Sequence, residues 1–202
     1  LEGNRTYRFE LTPNITDAAG NSLATTRATF TTGNYAYRDI QGNEYGAEIQ
    51  WMADRGYLTG CGSQRFCPTR DANRMATATF LARTLGLPTT TVDYFTDDDG
   101  KKHEDPINRV AEAGIMDACA PRRFCPKQDV RRGVMATIIA GAFDLPPTSR
   151  NFFSDDQKSF EDAVNRVAAA GLMTGCGGTR FCPGKVTERG ELAAILYRAL
   201  NR

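Results

Sequence analysis

The sequence predicts a mainly α-helical protein. Three tandem repeats, each of two helices and a short cysteine-paired loop, stand in a pseudo-threefold arrangement after a few β-strands. Three observations carry this expectation. The six cysteines fall as Cys61/Cys67, Cys119/Cys125 and Cys176/Cys182, and each second cysteine sits in a Phe-Cys-Pro tripeptide. The first cysteines are 58 and then 57 residues apart, which sets a repeat period. Helical spacing of apolar residues recurs at two matching places in every period.

The elements follow in order. Residues 6–11 alternate as a strand, and residues 28–33 form a second strand that stops at Gly33, with turn residues between them. Each repeat then opens on an aromatic-x-Asp triplet: Tyr37-Arg38-Asp39, Phe95-Thr96-Asp97 and Phe153-Ser154-Asp155. Amphipathic stretches over 49–56, 107–114 and 164–171 read as short helices capped by glycine. The cysteine loop and Phe-Cys-Pro come next. Second helices are predicted over 74–83, 132–139 and 189–198, and prolines mark the linkers after the first two. The expected boundaries are 1–36, 37–92, 93–151 and 152–202. A unit of about 50 residues is too small to bury a sufficient core alone, so the three should pack on one another.

Composition excludes several classes. With 41% hydrophobic and 24% charged residues the chain is globular, not disordered. No apolar run approaches the ~18 residues of a membrane span. A net charge of +1 gives no global field toward nucleic acid or an anionic membrane. The basic residues are 20 Arg against 5 Lys, which favours planar recognition of carboxylate and phosphate. His103 is the sole histidine and has no nucleophile patterned around it, so no catalytic set and no cofactor are expected. The chain starts at Leu1 and reads as a piece of a longer precursor.

Even number, equal spacing and shared context favour three local disulfides and an oxidising, extracytoplasmic setting. Such a short loop contributes roughly 2 kcal/mol in the chain-entropy model. Zinc is the competing reading, disfavoured by loose pairs and one histidine; free thiols are the third. Asp97-Asp98-Asp99-Gly100 departs from the EF-hand pattern and reads as a solvated turn, with no metal expected.

The repeated pattern of aromatic-x-Asp, a helix ending in Gly and an apolar residue, Phe-x-Pro, and an Arg opening a second helix resembles the S-layer homology (SLH) family over about 165 residues. The resemblance implies a three-repeat pseudo-trimer. It also implies a non-catalytic module at the bacterial cell wall or surface layer. The implied ligand is an acidic secondary cell-wall polysaccharide, bound in grooves between repeats. The alternative is a protein-interaction or surface-layer self-assembly module, with other surface-layer subunits as partners. Residues 1–36 resemble the last strands of a bacterial Ig-like domain.

The motif arginine falls on Arg74, Arg132 and Arg189. An Arg in the first helical turn opposes the helix dipole. Together with free backbone N–H groups it makes an anion site. The competing role is a structural bridge, to Asp39, Asp97 or Asp155 or to an acid of the next repeat. Those three aspartates are turn-type residues that would accept sugar hydroxyls in a groove. Trp51 is a candidate stacking surface, although Arg109 and Arg166 stand at its aligned positions. Tyr45, His103 and Phe160 are equivalent and are expected to cover the first helix of their own repeats. The usual Thr and Glu flanking the motif Arg are mostly replaced. Asn73 can cap its helix, but Arg131 cannot.

Overall fold

The apolar stretches become helices where the sequence places them. The computed structural model describes residues 6–31, 34–156 and 159–202. The short helices are α1 (Gly46–Asp54), α3 (Glu104–Glu112) and α5 (Glu161–Ala169); the long ones are α2 (Arg74–Thr84), α4 (Arg132–Ala142) and α6 (Arg189–Leu200). Each short helix begins three residues before its apolar stretch. The acids in its first turn (Glu48; Glu104 and Asp105; Glu161 and Asp162) suit the positive end of the dipole. Each ends just before a glycine at positive φ (Gly56 73°, Gly114 66°, Gly171 70°), the left-handed turn that glycine adopts without a Cβ penalty.

The helices pair across repeats. α2 packs against α3 and α4 against α5, and α6 returns to α1, so the third repeat closes on the first. α2 also touches α6. At the centre, equivalent residues of the three repeats form a ring of backbone hydrogen bonds. Ala72 N–H donates to Thr187, Thr187 N–H to Val130, and Val130 N–H to Ala72, at 2.8, 2.9 and 2.9 Å. All three residues are buried. This ring is the pseudo-threefold axis. Around it lies one continuous core containing Phe66, Phe124 and Phe181, the phenylalanines of the three Phe-Cys-Pro segments.

The three local disulfides are formed, Cys61–Cys67, Cys119–Cys125 and Cys176–Cys182. The second cysteine of each has left-handed backbone, with φ of 58°, 55° and 58°. A non-glycine residue rarely occupies that region, and the disulfide holds it there.

Ahead of the helices, β1 (Thr6–Leu11) and β2 (Thr26–Thr31) form a two-stranded antiparallel sheet with Thr6 opposite Thr31. β2 starts two residues before the expected strand. Among the described residues neither strand packs against a helix. Phe9, Leu11, Ile15 and Phe30 are exposed. No described helix is long and apolar enough to cross a membrane.

Candidate functional site: the seams between repeats

Each long helix points its N-terminus at the loop that follows the second cysteine of the next repeat in the ring. The first free N–H groups of α2 donate to that loop: Arg74 to the Gln128 carbonyl and Met75 to that of Pro126. In α4 the partners are Lys185 and Pro183, and in α6 they are Arg70 and Pro68. The sequence led us to expect free N–H groups here, ready for an anion. The structure corrects this for the first two N–H groups of each helix, which the neighbouring loop consumes. Asn73 caps α2 through Ala76 N–H at 2.9 Å, whereas Arg131 and Glu188 provide no side-chain cap.

The three motif arginines cross the seams in the same way. Arg74 Nε donates to the Phe124 carbonyl at 2.6 Å and Nη2 to that of Asp117. Arg132 Nε donates to Phe181 at 3.0 Å and Nη2 to Thr174. Arg189 Nε donates to Phe66 at 3.0 Å and Nη2 to Thr59 at 2.7 Å. Each guanidinium also lies over the phenylalanine it bonds, 4.4–4.7 Å from the ring centroid. These carbonyls and rings offset the unfavourable position of an Arg at a helix N-terminus. Burial lowers Arg189 to about 10, which leaves it charged at neutral pH.

The structural bridge therefore exists: all three arginines bond backbone carbonyls, Arg132 also pairs with Glu191, an acid of the next repeat, and none of the three pairs with Asp39, Asp97 or Asp155 among the described residues. Those aspartates bind their own loops. Asp39 accepts the N–H groups of Phe66 and Cys67 at 2.7 and 2.8 Å; Asp97 accepts those of Phe124 and Cys125, and Asp155 those of Phe181 and Cys182. Partial burial pushes each carboxyl up. The two backbone donors and the neighbouring Arg65, Arg123 or Arg180 outweigh it, and all three sit below the usual Asp value.

The three seams differ in what else lines them. A groove of about 370 Å³ at the seam of the first and second repeats is lined by Arg74, Gln128, Asp129, Arg131 and Val134, beside Cys119 and Cys125. Arg74 is only half-buried there and Arg131 is exposed. Among the described residues Arg74 Nη1 has no hydrogen-bond acceptor. In the groove beside Arg132, Nη1 is bonded to Glu191 instead, and Glu44 and Glu188 add two more carboxylates against Lys185. Arg132 and Arg189 are buried.

Trp51 lies at the seam of the third and first repeats, but the arginine stacked on it is Arg55, not one of the motif set. Its edge meets Tyr197 of α6 at 5.1 Å and Arg55 covers one face at 3.6 Å. It lines a separate depression with Tyr35, Asn43 and Gln50. Tyr45, His103 and Phe160 also differ from expectation. Each directly precedes the short helix of its own repeat and reaches over the long helix of the preceding one. Tyr45 lies over Gly190 and Phe160 over Gly133, and His103 Nδ1 is 3.0 Å from Thr79 Oγ1. Glycine at 133 and 190 was the available sequence signal, because it makes room for the two aromatic rings.

Asp98 corrects a further expectation. It is not in a solvated turn but 1% exposed, and neither carboxylate oxygen has a hydrogen-bond partner among the described residues.

Comparison with known proteins agrees with this architecture. Residues 152–193 match the S-layer homology domain. An endoglucanase of Bacillus sp. (strain KSM-635) is 26% identical over 161 residues, covering 75% of this chain and 17% of that protein. An S-layer protein of Bacillus thuringiensis subsp. finitimus is 22% identical, covering 81% and 21%. The exoglucanase XynX of Acetivibrio thermocellus is 23% identical, covering 82% and 16%. The chain thus spans about a fifth or less of the length of these relatives. Residues 152–193 thus carry an S-layer homology domain, and the first and second repeats place their short and long helices in the same order.

Proposed function

We propose that this chain is a non-catalytic, extracellular anchoring module that holds an acidic cell-wall polysaccharide in the seams between its repeats. The observation that carries the reading is the first seam. There Arg74 and Arg131 face one groove against a single carboxylate, Asp129. The unbonded edge of Arg74 suits a sugar acid, for which a guanidinium is the strongest neutral-pH partner. The Arg132 seam is a weaker anion site, since three glutamates oppose two cations. Arg132 and Arg189 then serve chiefly to lock neighbouring repeats. Asp39, Asp97 and Asp155 shape the loops that form the groove walls. The disulfides fit an oxidising, extracellular setting.

Sedimentation with purified bacterial cell walls tests the reading. Arg131→Glu changes an exposed side chain that makes no cap, so the fold should persist. We expect it to release the protein from walls, with Arg131→Lys retaining more binding. Wall binding by Arg131→Glu equal to that of the unaltered protein would overturn the assignment of the first seam.

A second reading, self-assembly with other surface-layer subunits, is favoured by the sheet formed by β1 and β2. It exposes Phe9 (46%) and Phe30 (44%) and packs on no described helix. Exposed strand edges with apolar side chains pair readily. Concentration-dependent size in solution, lost when residues 1–33 are removed, would support it. The expectation that these strands end an Ig-like domain belongs to this reading.

A further inference from the structure

The position after the aromatic-x-Asp triplet belongs to the core. In the first repeat it is Ile40, 1% exposed. In the third it is Asp156, only half-buried and within 3.5 Å of Asn165 Nδ2. In the second it is Asp98, as buried as Ile40 but carrying two carboxylate oxygens with no donor among the described residues. A carboxylate withdrawn from water without partners is costly, and such groups in proteins are paired or coordinate a metal. No basic side chain forms an ion pair with it among the described residues. What surrounds it is acidic. Oxygens of Asp93, Asp98 and Asp99 all lie within 4.8 Å of one another.

We propose that Asp93, Asp98 and Asp99 bind one divalent cation, calcium being the best suited. Two oxygens bound to one ion at about 2.4 Å, a typical calcium distance, lie no more than about 4.8 Å apart, so the cluster is already within that limit. Calcium accepts irregular oxygen sets completed by water, whereas magnesium demands a near-octahedral shell at about 2.1 Å. Asp93 and Asp99 are exposed, which leaves room for those waters and a path for the ion. Asp98 supplies a ligand fixed by burial. Its carbonyl also accepts Lys101 N–H at 3.1 Å, and Glu104 accepts Gly100 N–H, so the loop is tied at both ends. The aligned residues of the first repeat are Tyr35, Ile40 and Gln41, and those of the third are Asn151, Asp156 and Gln157. The site is therefore single, and it belongs to the second repeat.

The test is thermal unfolding of the full chain, first stripped with EDTA, over a calcium chloride titration, with magnesium chloride in parallel. We expect a rise in Tm that saturates with one ion per chain and a Kd on the order of 10⁻⁴–10⁻³ M, as in extracellular modules. Magnesium should shift Tm less at equal concentration. Asp99→Asn should weaken calcium binding at least about tenfold, the loss of one charged ligand being worth a decade or more. Asp98→Ile copies the residue of the first repeat. It should raise Tm in EDTA and abolish the calcium response, which separates loss of the site from loss of the fold. A Tm in the unaltered chain that does not respond to calcium, or a full response in Asp98→Ile, would overturn the proposal.

Discussion

Gly190 lies under the ring of Tyr45, and a Cβ on the glycine would stand 2.9 Å from Tyr45 Cδ2 and 3.1 Å from the Pro68 carbonyl oxygen. The glycine is the second residue of α6, and the tyrosine immediately precedes α1. Their contact closes the ring of repeats, joining the end of the chain to its first helix. Gly190→Ala should therefore destabilise the protein by about 1–3 kcal/mol, the usual cost of overpacking. Urea unfolding measures it. The same change at Gly141, where a Cβ meets nothing within 4 Å, should cost far less.

The arginines crossing the seams should differ in their contribution to stability. Arg189 is buried, and its removal leaves the Phe66 and Thr59 carbonyls without their donors. Arg189→Met should cost roughly 2–4 kcal/mol, because hydrogen bonds to a charged group are the strong class. Arg74→Met should cost less, since Arg74 is half exposed and water replaces it. Equal losses in urea unfolding would contradict this ordering.

Acid should loosen the cysteine loops. Asp39 and Asp155 are held below their ordinary value of 3.8 in the folded chain. A depressed folded pKa contributes stability that is present above the unfolded pKa and lost as pH falls through the folded one. Tm should thus be insensitive to these groups at pH 6–7 and fall below about pH 4, where the same groups in the unfolded chain begin to protonate. Asp39→Asn should lower Tm at neutral pH and converge toward the unaltered protein as pH falls through the folded pKa of Asp39.

Each disulfide closes a loop whose second cysteine is in left-handed backbone. Replacing the Cys61–Cys67 pair with alanines should cost about 2 kcal/mol from chain entropy alone. Reducing all three in urea should lower the unfolding midpoint further than any single pair removal.

The six helices, their order and the cysteine pairing were legible because they rest on local signals: apolar spacing, glycine stops and a repeated tripeptide. The partners of the seam arginines were not. Arg189 reaches the carbonyl of Phe66, 123 residues away in sequence, and every residue has a carbonyl, so no side-chain pattern marks that acceptor. The fate of the helix N–H groups escaped for the same reason. Other features were readable but needed the repeats compared position by position. Gly133 and Gly190 match the aromatic Phe160 and Tyr45, whereas the first repeat has Met75, whose carbonyl lies beside the Thr79–His103 contact. Asp98 aligns with the buried Ile40, and that alignment alone marks it as a core position.

The sharpest single measurement is calorimetric binding of purified wall polysaccharide to the full chain, before and after chemical removal of the polymer's acidic substituents. We expect measurable binding to the acidic polymer, a large loss when the acids are removed, and a comparable loss with Arg131→Glu on the untreated polymer. Binding that is indifferent both to the acidic groups and to the charge at position 131 would contradict the anion-binding role of the first seam.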